Sequence, residues 1–96
     1  MRGNPTYLGL LDEIRTLHLV KSSGYGTSDD PFANFAAVSQ SSGDPRYRYP
    51  VQRVAEKASR FFSLLDQGRV DELEEELTDM ASLCLCAAAM LREDAP

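Results

Sequence analysis

Several features that would identify a function are scarce in this sequence, and each absence excludes a class of protein. The chain has one histidine and only two cysteines, Cys84 and Cys86. No Cys-x-x-Cys pair or Cys/His set is present, which excludes a zinc site. Two positions apart on a helix, the cysteines point to separate sides and cannot pair with each other. We expect them to be buried and reduced, which predicts a reducing compartment.

Basic residues are also scarce. Ten lysines and arginines stand against fifteen acids, for a net charge of -5 and a pI of about 4.7. Without a general basic field, the chain is not expected to bind nucleic acid or an anionic membrane. The most apolar stretch, residues 80–91, is too short to span a bilayer, and the N-terminus does not resemble a signal peptide. These patterns predict a cytoplasmic protein with no membrane or nucleic-acid partner.

The length of 96 residues allows one domain, which we expect to span residues 1–96. A domain of this size buries a modest share of its surface, so its stability alone is expected to be marginal. Association with further copies would bury more surface. We therefore predict a homo-oligomer.

Cap-and-proline pairs predict where the first two helices begin. Asn4-Pro5 is typical of an N-cap followed by proline at the first helical position, and predicts a helix over residues 5–21. Asp30-Pro31 repeats the signal and predicts a short helix over 31–41, with three inward residues, Phe32, Phe35 and Ala36. The stripe of the first helix, at the 3.6-residue period, is Tyr7, Leu10, Leu11, Ile14, Leu17, His18 and Lys21.

Two longer helices are predicted after residue 50. One runs over residues 51–67 and is ended by Gly68; the other starts at Asp71, with Asp71 and Glu74 as a capping pair. No strand pattern appears, so the predicted fold is all-α, a four-helix bundle-like domain with one short helix. The inward stripe of the third helix is predicted as Val51, Val54, Ala55, Ala58, Phe61, Phe62 and Leu65. That of the fourth is predicted as Leu73, Leu77, Met80, Cys84, Ala87 and Leu91.

Three acids of the fourth helix form a candidate metal site. Glu72, Glu76 and Asp79 share one flank of the helix, which continues as apolar residues that we expect to be buried. Acids in a first helical turn are usually solvated, but Glu76 and Asp79 are predicted to lie beyond that turn. A half-buried acidic cluster needs counter-charge. A neighbouring helix can supply it, or a hard ion such as Mg²⁺.

Three cations of the third helix form a candidate phosphate site. Arg53, Lys57 and Arg60 lie in line, opposite the predicted apolar stripe, where each alone is most simply a solvated residue. Leu64 continues their line and indicates that this side is partly covered. Near an acidic flank, such a row suits either salt bridges between helices or a polyphosphate.

The segment KSSGYGTSDDPFANF, residues 21–35, is the least generic part of the chain. Its proline and last phenylalanine are explained by capping and packing alone. In a binding site, Lys21 would contact phosphate, Tyr25 or Phe32 would stack on a base, and Asn34 would read the edge of the base.

These motifs together resemble a known family. The 21–35 segment is followed by the row Arg53, Lys57 and Arg60, and then by Glu-Glu-Leu-Thr-Asp at the start of the long apolar helix. This order resembles small phage-encoded relatives of the all-α, MazG-like nucleoside triphosphate pyrophosphohydrolases and of domains associated with nucleotide modification. The resemblance covers residues 7–91. Its most specific part is the second acidic motif of the family, Glu-x-x-Asp, matched by Glu75, Glu76 and Asp79.

The resemblance implies a Mg²⁺-dependent enzyme that cleaves nucleotides between the α and β phosphates. It further implies that two acidic motifs hold the ion. The first, Glu-Glu-x-x-Glu, is met only by Asp12 and Glu13, with Thr16 at the third acidic position. A protein that binds or sequesters a nucleotide without hydrolysis is therefore one alternative, in the host cytoplasm if the chain is phage-encoded. A helical interaction or structural protein with no ligand is the other.

Overall fold

The computed structural model describes residues 2–24 and 32–96, except the side chains of residues 21–24, 33 and 34. Its elements are α1 (Pro5–Gly24), α2 (Ala33–Ser42), α3 (Arg48–Asp66), a single 3₁₀ turn (Val70–Glu72) and α4 (Leu73–Glu93). The described residues contain no strand, which confirms the predicted all-α class. The chain divides into two units, Met1–Ala33 and Asn34–Pro96.

In the first unit, the predicted start of α1 is confirmed. The Tyr7 amide donates to Asn4 Oδ1 at 2.9 Å, so Asn4 caps the helix. The predicted stripe is confirmed in part, since Leu10, Ile14 and His18 are half-buried. It is wrong for three members that are exposed, Tyr7, Leu11 and Leu17.

The short second helix begins at Ala33 rather than residue 31, and its predicted Asp30-Pro31 cap lies outside the described residues. Phe32 is buried as predicted, and the His18 ring lies 6.0 Å from it, centroid to centroid. Phe35 and Ala36 are half-buried.

In the second unit, α3 begins three residues earlier than predicted. Pro50 lies in its first turn, where a missing amide proton costs no helical hydrogen bond, and its side chain is buried. The end of α3 is confirmed. Gly68 has φ of 70°, its amide donates to Leu65 O, and the next amide donates to Leu64 O. This is a Schellman termination, which requires the left-handed backbone that glycine adopts without strain.

The predicted start of α4 is wrong. A 3₁₀ turn precedes it, and the flanking Glu72 makes no side-chain cap hydrogen bond, so Asp71 and Glu74 do not form a capping pair. The helix begins at Leu73, two residues later than predicted. Glu76 consequently lies within its first turn, together with Glu74 and Glu75.

Helices α3 and α4 pack as an antiparallel hairpin. Ion pairs join Arg46, before α3, to the end of α4, whereas Lys57 and Arg60 pair with its beginning. The less exposed residues of both helices recur at alternating three- and four-residue spacings, the pattern of side-by-side helix packing. On α3 they include Pro50, Val54, Lys57, Phe61 and Leu64; on α4 they include Leu73, Glu76, Met80, Leu83, Ala87 and Met90.

Both predicted inward stripes are therefore misplaced in part. On α4 the predicted heptad is correct at every second member and wrong at Leu77, Cys84 and Leu91, which are exposed. Apolar residues of similar size lie on two adjacent stripes of α4, so helix packing, rather than periodicity, decides which stripe faces inward. On α3, Val51, Phe62 and Leu65 are exposed, and the expected solvated line contains half-buried Lys57 and buried Leu64.

Two further predictions concern the surface. Cys84 is an exposed free thiol, which corrects its predicted burial, and Cys86 is half-buried. None of the helices in residues 5–24 and 33–93 is both long enough and apolar enough to cross a bilayer.

Candidate functional site

The nominated acids and cations meet on one side of the α3–α4 hairpin. Lys57 Nζ donates to Asp79 Oδ2 at 3.2 Å and lies 3.9 Å from Glu76 Oε2. Lys57 is half-buried because it occupies an inward-facing position of α3, where its chain packs while its ammonium reaches the acids. The counter-charge predicted for the acidic flank is supplied by the neighbouring helix.

Glu76 is the most deeply placed charge of this group. It is 6% exposed, although its neighbours in the first turn of α4 are solvated. Its Oε1 lies 3.1 Å from Arg60 Nε, whereas the buried Oε2 accepts no hydrogen bond from the residues that the structure describes. A buried carboxylate oxygen without a donor is costly, and the nearby ammonium offsets part of that cost.

The arginines of α3 differ in their contacts. Arg60 reaches Glu76 with one edge of its guanidinium while 65% of its side chain stays exposed. Arg53 is exposed and forms no ion pair with residues 2–24 or 32–96. Only part of the predicted row of cations is therefore neutralised by α4.

Glu72, the third predicted metal ligand, does not share the ion pairs of the other two. Glu72 is bound by Arg69, whose Nη2 donates to Glu72 Oε1 at 2.7 Å and whose Nε contacts the other oxygen. This pairing was missed at the sequence level, although the three-residue spacing of Arg69 and Glu72 is a recognised signal for it. In the described residues, no three acids, cysteines or histidines gather as a metal site.

Each of the three acids nominated for Mg²⁺ contacts a cation of this chain: Glu72 pairs with Arg69, Asp79 with Lys57, and Glu76 with Lys57 and Arg60. An ion bound to these carboxylates would compete with those pairs. Mg²⁺ is commonly held by one or two carboxylates together with waters and ligand phosphates. The predicted magnesium dependence stays a prediction.

The side chains of the remaining nominated residues lie outside the described part of the molecule. Lys21 belongs to α1 and Asn34 to α2 by their backbones, but their side chains are not among those described. Tyr25 is outside the described residues altogether. The base-stacking and base-reading roles predicted for the 21–35 segment stay predictions.

A second ionic cluster, which sequence reasoning missed, closes the open end of the hairpin. Arg46 donates from Nε to Asp94 Oδ2 at 2.9 Å and from Nη2 to Asp94 Oδ1 at 2.8 Å, and also contacts Glu93. These hydrogen bonds raise the pKa of Arg46 above its usual value and lower the pKa of the Asp94 carboxyl. Because the partners lie 48 residues apart, no local spacing signals the contact.

Comparisons with known proteins add no assignment to this site. No protein-family model, no curated protein and no solved structure matches the chain. The resemblance to MazG-like pyrophosphohydrolases stays a prediction.

Proposed function

We propose that this chain acts by association, as a helical interaction protein whose clustered charges hold its own hairpin together. One observation carries the proposal: the acids nominated for metal bind the cations nominated for phosphate or their own neighbour Arg69. Removing one member of a buried pair leaves an uncompensated charge, so such pairs constrain the helices that carry them. The charged side of the hairpin then has a structural role.

The substitution Lys57→Ala tests the structural role. We expect it to lower the free energy of unfolding by about 1–3 kcal/mol, because Asp79 loses its hydrogen bond and Glu76 Oε2 loses its nearest cation. Arg53→Ala is the matched control, since it removes an exposed cation of the same helix. It should change the stability by less than about 0.5 kcal/mol. Denaturant melts measure both.

Nucleotide binding without turnover is the second candidate, and a specific observation favours it. Arg53 and Arg60 expose guanidinium groups two turns apart on α3. Such groups suit the phosphates of a nucleotide. The magnesium-dependent pyrophosphohydrolase activity implied by the family resemblance is the catalytic form of this candidate.

Thermal melts with millimolar Mg²⁺ and a panel of nucleoside triphosphates separate the candidates. A ligand that binds only the native state raises the melting temperature by mass action. The interaction proposal expects no shift with either ligand and no release of pyrophosphate. A nucleotide-dependent shift that Arg60→Ala abolishes would establish the second candidate, and pyrophosphate release would establish its catalytic form.

A further inference from the structure

Both helices of the hairpin carry a second apolar stripe that does not face the other helix. Each stripe repeats at spacings of four and three residues, the pattern by which helices pack side by side. Its large members are strongly exposed, with Phe62 at 60%. Together they form what we call the apolar face, which consists of Val51, Ala55, Ala58, Phe62 and Leu65 of α3 and Leu77, Ala81, Cys84, Ala88 and Leu91 of α4.

The two stripes lie on the same side of the hairpin. Each is one residue C-terminal to the inward-facing stripe of its helix, and one residue turns a helix by about 100°. Because α3 and α4 run antiparallel, that step leads to the same side on both. The charged site is on the other side, since Arg60 and Asp79 each precede an inward-facing residue by one position.

The apolar face is large enough to bind a partner. Two helices at ordinary separation are about 20 Å wide together, and fifteen residues rise about 20 Å. Covering this face with an equal one would bury on the order of 1,000 Å² in total, where specific interfaces begin. A patch of several hundred Å² is comparable to the largest apolar patch on a typical monomer, and such patches often mark binding sites.

The charges along the edges of the apolar face change sign from one end to the other. Exposed Asp66 and Glu74 flank it at the end where α3 turns into α4. Exposed Arg48 and Arg92 flank it at the opposite end. A second hairpin laid face to face and turned end for end would place each acid near an arginine of the other copy. Laid in the same direction, it would place like charges together, which is unfavourable.

We infer that the partner is a second copy of this chain, bound through the apolar face in the end-for-end orientation. The inference rests on the proposed function and names the partner of that function. A two-fold axis crosses the middle of the face, so each α3 lies antiparallel to the α3 of the other copy, and likewise each α4. Contacts made once then occur twice, as in other isologous dimers. The result is a four-helix arrangement made of two hairpins.

Sedimentation of the full chain at micromolar concentration tests the association. The expected species is a dimer, and Phe62→Glu should weaken it at least about thirtyfold, the effect of losing a central interface residue. The control is Val70→Glu, which places the same charge at an exposed apolar position outside the face. Its dimer should be unchanged. Circular dichroism checks that both variants remain helical.

A charge exchange tests the orientation without burying a charge. Arg48→Glu alone should weaken the dimer, and Arg48→Glu with Asp66→Arg should restore it, because the two positions meet across the interface. A short bis-maleimide should also join two copies of the unmodified chain through exposed Cys84, near the middle of the face, and Cys84→Ser should abolish the product.

Four outcomes would overturn the inference. Failure of the double variant to restore association excludes the end-for-end orientation. If the chain is a monomer and Phe62→Glu lowers its free energy of unfolding, residues of the same chain cover the face. A monomer that binds nucleotides overturns the proposed function as well, whereas a monomer indifferent to Mg²⁺ and nucleotides overturns the dimer alone.

Discussion

Two buried residues on the inward stripe of α4, Met90 and Glu76, are held in place by different forces. Met90 is fully buried, with 0% exposure, near the end of the helix. Glu76 is almost as buried near its beginning, but it carries a charge and depends on Lys57 and Arg60 across the hairpin. The first kind of burial stabilises by removing apolar surface from water. The second mainly restricts which helix can be the partner.

The largest loss of stability is expected from a substitution at Met90, where burial is apolar. We expect Met90→Ala to lower the free energy of unfolding by about 2–5 kcal/mol, because it opens a cavity where packing is complete. Its matched control, Leu91→Ala, removes a neighbouring side chain that is 52% exposed, and should cost below about 1 kcal/mol. Chemical denaturation at low protein concentration measures both. Equal costs would show that the inward stripe passes through Leu91 instead.

A substitution at Glu76, where the buried group is charged, should lower the stability less. We expect Glu76→Gln to cost about 1–2 kcal/mol, because the amide keeps the shape of the side chain while Lys57 retains Asp79 and Arg60 stays largely in water. The control Glu75→Gln removes an exposed charge and should change the stability by below about 0.5 kcal/mol. A larger loss of unfolding free energy from Glu76→Gln than from Met90→Ala would contradict the expected order.

The smallest effect is expected at the open end, where the acids that bind Arg46 are exposed to solvent. Ionised Asp94 is favoured in the folded state, because Arg46 lowers the pKa of its carboxyl below the ordinary 3.8. The contribution of ionised Asp94 to the free energy of unfolding is therefore complete at pH values above 3.8. It is lost as the pH falls through the lower pKa that the carboxyl has in the folded state. The melting temperature of Asp94→Asn should be slightly below that of the unmodified chain at neutral pH.

The same difference should shrink on acidification below pH 4. Asp12→Asn, on exposed α1, controls for the change in net charge and should show a smaller difference at neutral pH. A gap between Asp94→Asn and the unmodified chain that widens in acid would contradict the direction of the pKa shift.

Local chemistry in the sequence determined most of the secondary structure. Asn4 before Pro5 specifies the start of α1, and Gly68 specifies the end of α3, because each supplies a hydrogen bond or a backbone conformation that the helix end needs. The all-helical class followed from the spacing of apolar residues. The start of α4 was missed, since a capping pair and a preceding 3₁₀ turn draw on the same acidic residues.

Only the tertiary structure decided which stripe of each helix faces the other. Helices α3 and α4 each carry two adjacent apolar stripes, so periodicity alone is equally satisfied by Leu77 or by Glu76 as the inward residue. The antiparallel approach brings Lys57 and Arg60 to Glu76, and their charge makes burial of a carboxylate possible where an isolated helix would keep it in water. The roles of the charged residues were undetermined by the sequence for the same reason: a cation and an acid on different helices become partners only when packing brings them together.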